Sequence, residues 1–332
     1  MDEERLLGES NAFLEVIEQV SRLAPIVRPV LIIGERGTGK ELIAHRLHYL
    51  SARWQQPFIK LNCAALNESL LDSELFGHEA GAFTGAQRRH PGRFERAHGG
   101  TLLLDELATM SDRLQEKLLR VIEYGEFERV GGQQPVRVDV RLICATHADL
   151  PALARAGKFR HDLLDRIAFD VITLPPLRVR QGDIVLLAHH FARQWAQELG
   201  WETAPGFDEA TLAQLCQHPW PGNVRELRNV VERSLFRYGE PGRPLARLCL
   251  DPFASPWQQT EPQATQTAPG WPLDWKRHLA EYETNLLHQA LTRCDFNQRQ
   301  AAQSLGLSYH QLRGLLRKYP ALLHRKGETD TD

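Results

Sequence analysis

The chain has 332 residues, of which 42% are hydrophobic and 25% charged, with a formal net charge of −2. This length suits two or three domains and a sizeable core, and the composition is ordinary for a soluble globular protein. No apolar run approaches the about 18 residues of a membrane span, and the polar N-terminus is not a signal peptide, so we expect a cytosolic protein.

Short apolar runs alternate with helical patterns in the first half of the chain. Residues 11–24 have the apolar spacing of a helix. Near-continuous apolar runs that alternate with helices indicate a parallel sheet buried on both faces. The predicted strands are residues 30–33, 58–61, 102–104, 140–145 and 169–173. We therefore predict a three-layer α/β domain over residues 1–176.

Helical patterns dominate after this domain. They occur at residues 183–199, 208–217 and 223–238 and predict an all-helical lid over residues 177–250. Residues 251–272 are rich in Pro, Gln and Thr, which is typical of a flexible linker. The last domain, residues 273–326, has three helical patterns at residues 275–291, 297–305 and 308–319, with a break of the helix-turn-helix type at Gly306 and Leu307.

A phosphate-binding loop follows the first predicted strand. The segment GERGTGKE fits the pattern G-x-x-x-x-G-K and precedes a helix-compatible run, which is the context the motif requires. Its glycines let backbone N–H groups converge on an anion, and Lys40 adds a charge for the β- and γ-phosphates. Glu41 replaces the usual Ser or Thr, so metal ligation must rely more on a second motif. The predicted nucleotide-binding residues of the loop are Gly34, Glu35, Arg36, Gly37, Thr38, Gly39, Lys40 and Glu41.

Two acids at the end of the strand in TLLLDE supply that second motif. Open α/β sheets place ligands at the carboxyl ends of their strands. We predict that Asp105 binds Mg²⁺ through water and that Glu106 orients and polarises the attacking water. Acidic residues at the end of a strand are often only exposed to solvent. The functional interpretation of this pair therefore depends on the phosphate loop upstream.

Three arginines are candidates for stabilising the departing γ-phosphate. An arginine finger contributes roughly 10³–10⁵ in rate. Arg160 and Arg166 precede the fifth predicted strand, and Arg225 lies at the start of a lid helix in PGNVRELRN. Position alone does not separate any of them from an ordinary surface cation.

The segment GAFTGA, residues 81–86, predicts an exposed and mobile loop tip. An aromatic residue among small residues and two glycines suits neither a helix face nor a regular strand, because glycine removes backbone restraint. We interpret the loop as presenting Phe83 and Thr84 to a partner.

In their order and spacing, GERGTGKE, GAFTGA, GGTLLLDE and WPGNVRELRN strongly resemble the AAA+ domain of bacterial sigma-54-dependent enhancer-binding activators. The resemblance spans about residues 7–250, and the C-terminal helix-turn-helix fits the same family. It implies an ATPase ring, usually hexameric, that remodels the closed complex of sigma-54 RNA polymerase so that promoter DNA can melt. With the AAA+ module beginning at about Leu7, we expect control by a partner in trans.

The resemblance also implies roles for particular residues. Asn62 matches a polar residue that holds the catalytic glutamate off until it is needed. Arg160 and Arg166 match fingers that reach into the neighbouring subunit's site, and Arg225 matches a lid sensor.

Three further positions follow from the same family. Phe83 and Thr84 match the loop tip that contacts sigma-54. His147, in ATHADL, stands at a sensor position that is often Asn. A histidine there would open γ-phosphate sensing to titration near neutral pH, whereas the alternative is an ordinary histidine at a strand end.

The C-terminal segment predicts a DNA-binding end. Residues 296–327 contain six Lys or Arg and no Asp or Glu. Ser308 suits the N-cap of a recognition helix whose N-terminal half reaches base edges, while later cations meet phosphates. The residues predicted to contact DNA are Asn297, Arg299, Tyr309, His310, Gln311, Arg313, Arg317 and Lys318. The operator is expected to hold a dimer on paired half-sites, and the alternative is a solvated basic hairpin.

Three other functions share parts of this pattern. An AAA+ unfoldase would share the nucleotide site but lacks a use for GAFTGA and the DNA-binding tail. A P-loop kinase would lack a use for the arginine pair. A DNA-binding repressor that uses nucleotide only as an assembly switch would not need hydrolysis. Substitution of Glu106 therefore distinguishes it from a motor, because only the motor would lose its function.

Overall fold

The computed structural model describes residues 6–253, 275–294 and 296–319. The chain divides into two compact units, residues 1–254 and 255–332. The predicted linker, residues 251–272, lies almost entirely outside the described residues. The finer boundaries at residues 176, 250 and 272 remain predictions.

A five-stranded parallel sheet forms the centre of the first unit, which confirms the predicted α/β fold. Its strand order is β2-β3-β6-β1-β7. These strands are β1 (Val30–Ile33), β2 (Phe58–Asn62), β3 (Thr101–Asp105), β6 (Arg141–Thr146) and β7 (Val171–Thr173). The last strand begins two residues later than predicted, because Phe169 lies in a bend and is 55% exposed.

Seven helices agree with the sequence pattern to within two residues. They are α1 (Asn11–Leu23), α8 (Gln181–Glu198), α9 (Glu209–Gln217), α10 (Asn223–Tyr238), α11 (Trp275–Arg293), α12 (Gln298–Ser304) and α13 (Tyr309–Lys318). The helix after the phosphate loop is α2 (Lys40–Tyr49), and it begins one residue before the helix-compatible run that starts at residue 41.

Other elements have no counterpart in the prediction. A small antiparallel hairpin pairs β4 (Glu126–Glu128) with β5 (Pro135–Arg137). The unpredicted helices are α3 (Glu68–Phe76), α4 (Arg93–Arg96), α5 (Asp112–Tyr124), α6 (Leu150–Arg155) and α7 (His161–Ile167). These helices enclose an apolar cluster on one face of the sheet, and α1 and α2 enclose a second cluster on the other face.

The lid helices α8, α9 and α10 pack around Trp220, which is fully buried. Its indole N–H donates to the backbone carbonyl of Leu215 at 2.8 Å. Trp220 and Asn223 both adopt positive φ angles, of 49° and 52°. These uncommon conformations turn the chain sharply into α10 and aim its first residues at the phosphate loop.

The second unit is a three-helix cluster in its described part. Leu287, Leu291, Leu312 and Leu316 form its core with Ala301 and Ala302. A capping box begins α13, since the Ser308 hydroxyl accepts from the Gln311 N–H at 3.3 Å and the Gln311 side chain accepts from the Ser308 N–H at 2.9 Å. Among the residues that the structure describes, no helix is both long and apolar enough to cross a membrane.

Candidate nucleotide site and partner-binding surfaces

Most of the predicted nucleotide-binding residues converge on one cavity at the carboxyl ends of the strands, whereas Gly34 and Glu35 do not line it. The cavity has a volume of about 500 Å³. It is lined by the phosphate loop from Arg36 to Glu41, by Asn62, Asp105 and Glu106, and by Arg225 of the lid. Parallel strands bring these segments together because their carboxyl ends meet at one edge of the sheet.

The phosphate loop has the backbone geometry of an anion cradle. Gly37 and Gly39 adopt φ angles of 79° and 95°, which favour glycine. The Lys40 ammonium donates to the carbonyls of Gly34 at 2.9 Å and Glu35 at 3.2 Å. Burial lowers the pKa of Lys40, while Glu106 and Asp105 oppose that change. An anionic phosphate is the partner that would restore the charge balance of this half-buried ammonium.

The lid closes directly over this loop. The backbone N–H of Val224 donates to the carbonyl of Gly37 at 3.0 Å. The buried Asn223 amide donates to the Arg36 carbonyl at 3.0 Å and to the Glu35 carboxylate at 3.1 Å, and its oxygen accepts from the Leu177 N–H at 2.8 Å. The Asn223 side chain, at the start of α10, therefore joins the phosphate loop to the first residue of the lid.

Glu35 adds a charged contact between the same two parts. Its carboxylate accepts from both terminal nitrogens of Arg178, at 2.6 and 2.9 Å. The Arg178 and Asn223 hydrogen bonds lower the pKa of Glu35 to about 2. The predicted role of Glu35 was nucleotide binding, but its side chain binds the lid instead.

Substituting Gly37 by alanine is expected to lower nucleotide affinity at least tenfold. An added Cβ would lie 2.2 Å from the Gly222 carbonyl oxygen, so the loop and the lid would have to separate. Gly157→Ala is a matched control, because Gly157 also has a positive φ but nothing within 4 Å of its Cβ position. Both variants should lose about 1–3 kcal/mol of stability through backbone strain. Titration with a fluorescent ATP analogue measures the difference, and equal affinity in the two variants would contradict it.

Asp105 and Glu106 lie at the end of β3, as predicted. Burial raises the pKa of Asp105, with a further contribution from the neighbouring Glu106 charge, and the Glu106 N–H donates to its carboxylate at 3.0 Å. Glu106 has φ 54° and ψ 43°, a left-handed conformation that is uncommon for a side chain with a Cβ. Because of this turn, the carboxylates of Asp105 and Glu106 leave the backbone in different directions while lining the same cavity.

The hydrogen-bond partner of Glu106 differs from the expected one. Its carboxylate contacts the His147 Nδ1 atom at 2.6 Å. The side-chain oxygen of Asn62 instead accepts from the Ala64 N–H at 2.9 Å and caps a short 3-10 helix. In this conformation Glu106 is bound by His147, and the role of Asn62 in holding the glutamate off stays a prediction. Asn62 does line the cavity.

The arginines divide into two groups. Arg225 lies in the nucleotide cavity, near enough to Lys40 to lower its pKa slightly. Arg160, the N-cap residue of α7, and Arg166, on α7, lie outside it. Arg160 pairs with Asp162 at 2.7 Å and Arg166 with Glu123 at 2.8 Å. This placement leaves their role in a neighbouring subunit as a prediction.

A larger cleft of about 780 Å³ lies at the opposite, amino end of the strands. It includes Arg166 and Glu123 but no residue of the phosphate loop. The smaller cavity is therefore the one that fits the predicted nucleotide site, because the residues predicted to bind phosphate line it.

An apolar wall of the nucleotide cavity was missed by the sequence reasoning. It consists of Leu6, Leu7, Phe13, Leu187 and Phe191. The only available signal was the apolar character of these positions, which does not show that residues more than 170 apart meet. Such a wall suits the flat face of a nucleobase.

A buried ion pair fixes the N-terminal side of that wall. The Asp183 carboxylate pairs with Arg180 at 2.8 Å and accepts from the backbone N–H groups of Glu9 and Ser10. The Arg180 guanidinium lies over the Phe13 ring at 3.9 Å from its centroid. The N-terminal segment is thereby tied to the lid.

The GAFTGA segment forms an exposed loop on the first unit. Phe83 is 45% exposed, and Thr84 is exposed as well. The Phe83 ring contacts the His78 ring edge-on, with centroids 4.9 Å apart. Gly81 and Gly85 have positive φ angles and nothing within 4 Å of an added Cβ. The tip is therefore unobstructed, as predicted.

Arg129 anchors the base of this loop. Its guanidinium pairs with Glu95 at 2.6 Å and with Glu79 at 2.9 Å. The Glu79 N–H also donates to the Val130 carbonyl at 3.1 Å. A rigid base and a free tip suit a loop that transmits displacement to a partner.

The predicted DNA-contacting residues are mostly exposed on α12 and α13. Two of them cap helices: the Asn297 side chain caps α12, and that of Gln311 completes the capping box of α13. Lys318 pairs with Glu283 at 2.9 Å, and the Arg299 guanidinium lies 5.9 Å from the centroid of the Tyr309 ring. Exposed side chains are found at Arg299, Tyr309, His310, Arg313 and Arg317. Two cations of the basic run, Arg325 and Lys326, lie outside the described residues.

The site fits the expected nucleotide and metal chemically. The positive loop, Lys40 and Arg225 suit phosphates, and the apolar wall suits a base. Asp105 offers the hard oxygen ligand that Mg²⁺ takes alongside substrate phosphates. Glu41 is not a substitute for the missing hydroxyl ligand, since its carboxylate pairs with Lys60 at 2.6 Å.

Comparisons with protein families match all three parts of the chain. The sigma-54 interaction domain matches residues 6–173, the AAA+ ATPase lid domain residues 178–247, and the Fis family of bacterial regulatory proteins residues 278–319.

Individual known proteins are similar to the chain over nearly its whole length. The chain is 61% identical over 318 residues to the Psp operon transcriptional activator of Escherichia coli, covering 95% of this chain and 98% of that protein. It is 42% identical to the regulatory protein AtoC of the same organism, covering 95% of this chain and 67% of AtoC. The crystal structure of NtrX from Brucella abortus in complex with ATP has a TM-score of 0.69 at 32% identity, covering 97% of this chain and 70% of NtrX.

Proposed function

The chain belongs to the family of sigma-54-dependent transcriptional activators with a nucleotide-binding AAA+ domain and a helix-turn-helix domain, and we propose that it hydrolyses ATP to remodel the sigma-54 RNA polymerase closed complex. One observation carries this proposal. The phosphate loop, Asp105 and Glu106 share a cavity, while the same unit presents an exposed and firmly based GAFTGA loop. A nucleotide switch would need the first feature but not the second.

In the proposed reaction, Lys40 and the loop N–H groups bind the phosphates and Glu106 orients the attacking water. Mg²⁺, held by Asp105, would neutralise charge on the phosphate oxygens. Arg225 lies where it can follow the loss of the γ-phosphate and pass the change to the lid. The hydrogen bonds of Asn223 and Glu35 connect the phosphate loop directly to the lid, so that a change in the loop can move the lid.

The active assembly is proposed to be a homohexamer, with dimers on enhancer DNA. Arg160 and Arg166 do not line their own subunit's cavity, which suits fingers that complete a neighbouring site. Each has an acidic partner, Asp162 or Glu123, but both guanidinium groups are partly exposed and have further N–H donors for a phosphate.

The regulated genes are proposed to be those of the phage shock response to membrane stress, by similarity to the Psp operon activator. A repressor of the phage shock protein A type would then act in trans on the AAA+ domain. Trp54 is a suitable anchor, because it is 52% exposed and its ring lies 6.1 Å from that of Tyr49, which is 66% exposed.

ATP-dependent open-complex formation on a sigma-54 promoter, with purified components, tests the function directly. Promoter DNA should melt only when the chain, sigma-54 polymerase and ATP are all present, and a non-hydrolysable analogue should not replace ATP. Melting without hydrolysis would reject the motor in favour of a nucleotide switch.

Thr84→Ala is expected to abolish sigma-54 binding and open-complex formation while leaving ATP hydrolysis largely intact. Thr84 is exposed at the loop tip, remote from the cavity residues, so the substitution removes a partner contact without touching the nucleotide. Thr203→Ala, at an exposed position in the lid, is the control. Co-sedimentation with sigma-54 and a phosphate-release assay measure the two effects. Persistent open complexes in the Thr84 variant would reject the loop assignment.

A further inference from the structure

The contact between His147 and Glu106 joins two neighbouring strands of the sheet. Glu106 follows β3, and His147 follows β6, which pairs with β3 along its length. The Nδ1 atom lies 2.6 Å from the Glu106 Oε2 atom. A carboxylate only accepts hydrogen bonds, so this geometry requires the imidazole hydrogen on Nδ1. The bond thus fixes both the tautomer of His147 and the direction of the Glu106 side chain.

The surroundings of Glu106 make such a bond useful. Its backbone is in a left-handed conformation, and its side chain is only 16% exposed. Its carboxylate is attracted by the nearby charge of Lys40 and repelled by that of Asp105. A long, unbranched side chain in this field has several rotamers available, and a short charge-assisted hydrogen bond selects one of them.

We propose that the Nδ1–H group of His147 is the positioning donor for Glu106, a task distinct from the restraint on Glu106 that the family resemblance implies for Asn62. In this arrangement His147 acts on hydrolysis through the carboxylate, and not by contacting the γ-phosphate with its other nitrogen. The inference rests on the proposed ATP hydrolysis, because Glu106 is assumed to orient the attacking water.

Two amide substitutions distinguish the nitrogens of the ring. The amide nitrogen of asparagine falls near the position of Nδ1, whereas that of the longer glutamine falls near Nε2. His147→Ala should lower kcat for ATP at least tenfold with KM nearly unchanged. His147→Asn should raise kcat at least fivefold above the alanine variant, and His147→Gln should stay within twofold of it. The reverse order would overturn the proposal and favour direct sensing of the γ-phosphate.

The role of Asn62 is compared in the same assay. Asn62→Ala should lower kcat less than His147→Ala does, because the Asn62 side-chain oxygen caps the turn at Ala64. A larger loss of kcat in the Asn62 variant would overturn the proposal, because Glu106 would then depend more on Asn62 than on His147. A rise in kcat for His147→Ala would also overturn the proposal, since it would show a restraint where we infer a positioning contact.

A spectroscopic measurement separates this inference from the proposed function. The ring ¹⁵N signals of His147 in the full chain, assigned by their loss in His147→Asn, should show a hydrogen-bonded Nδ1–H. The Nδ1 signal should shift in Glu106→Gln, and an unchanged signal would reject the contact. If the wild-type chain binds ATP but does not hydrolyse it, the proposed function fails while this measurement still decides the contact. Unaltered thermal unfolding of each variant shows that folding is intact.

Discussion

Glu106→Gln is expected to slow ATP hydrolysis by about 10²–10⁴-fold, the usual contribution of a positioned acid–base group. The amide has nearly the shape of the carboxylate but cannot take up a proton from water or polarise it as strongly. ATP affinity should be retained, because Lys40 and the loop N–H groups that bind the phosphates are unchanged. The variant should therefore bind ATP and fail to open promoters.

Phosphate release under saturating ATP and a separate binding titration measure the two parts of this result. Glu128→Gln is the matched control, since Glu128 is an exposed acid on the β4–β5 hairpin. If the Glu106 variant hydrolysed ATP at near the wild-type rate, Glu106 would not be the group that orients water. If it still opened promoters without hydrolysis, the repressor-like switch or another binding-driven mechanism would be favoured over a motor.

The parts of the site that the sequence predicted are those encoded in short, contiguous segments. The phosphate loop and the acid pair each combine a strand, a turn and polar residues within a few positions. Parallel-sheet geometry then places the ends of β1 and β3 on the same edge, so their meeting required no knowledge of side-chain contacts. The exposed GAFTGA tip follows from backbone chemistry in the same local way.

The parts that were missed depend on contacts between distant segments. Glu35 and Arg178 are 143 residues apart, and Asp183 accepts hydrogen bonds from residues more than 170 positions earlier. Neither pair produces a periodic pattern. Asn223 lay within a segment that drew attention for Arg225, yet its bonds depend on a positive φ that sequence alone did not reveal.

Glu106 shows how a resemblance can name a correct site with a different contact. Asn62 ends β2 and His147 follows β6, and these two strands lie on either side of β3. The fold therefore offers both residues as neighbours of the carboxylate. In the structure the Asn62 side-chain oxygen accepts from the Ala64 N–H, and the Glu106 carboxylate is hydrogen-bonded to the imidazole. Fold and spacing left this contact open, because it depends on the side-chain rotamers.

Arg141 falls within a predicted strand, where the sequence pattern gives no sign that its charged side chain is among the largest fully buried ones of the described residues. It begins β6 and is 1% exposed. Its guanidinium donates to the carbonyls of Ala24 at 2.7 Å, Leu23 at 2.9 Å and Leu47 at 3.2 Å, so it ties the ends of α1 and α2 to the sheet. Burial lowers the pKa of Arg141 to about 10, with a smaller contribution from Arg53, and the group remains charged at neutral pH.

Arg141→Met is expected to reduce the free energy of unfolding by about 3–5 kcal/mol, as when one partner of a buried polar network is removed. Methionine fills much of the volume but leaves carbonyl oxygens at the ends of α1 and α2 without their donor. Removing a desolvated charge offsets part of this loss, so a smaller effect than for Arg141→Ala, which also creates a cavity, is the expected order. Because α2 carries Lys40 at its first residue, nucleotide affinity should fall as well.

Urea denaturation of the full chain, followed by circular dichroism, measures this loss. Arg22→Met is the control, because Arg22 is exposed on α1 and such a change usually alters stability by less than about 0.5 kcal/mol. Equal stability of the two variants would show that the cost of burying the Arg141 charge cancels its three hydrogen bonds. A more stable Arg141 variant would go further, since the guanidinium would then weaken the packing of α1 and α2 against the sheet instead of securing it.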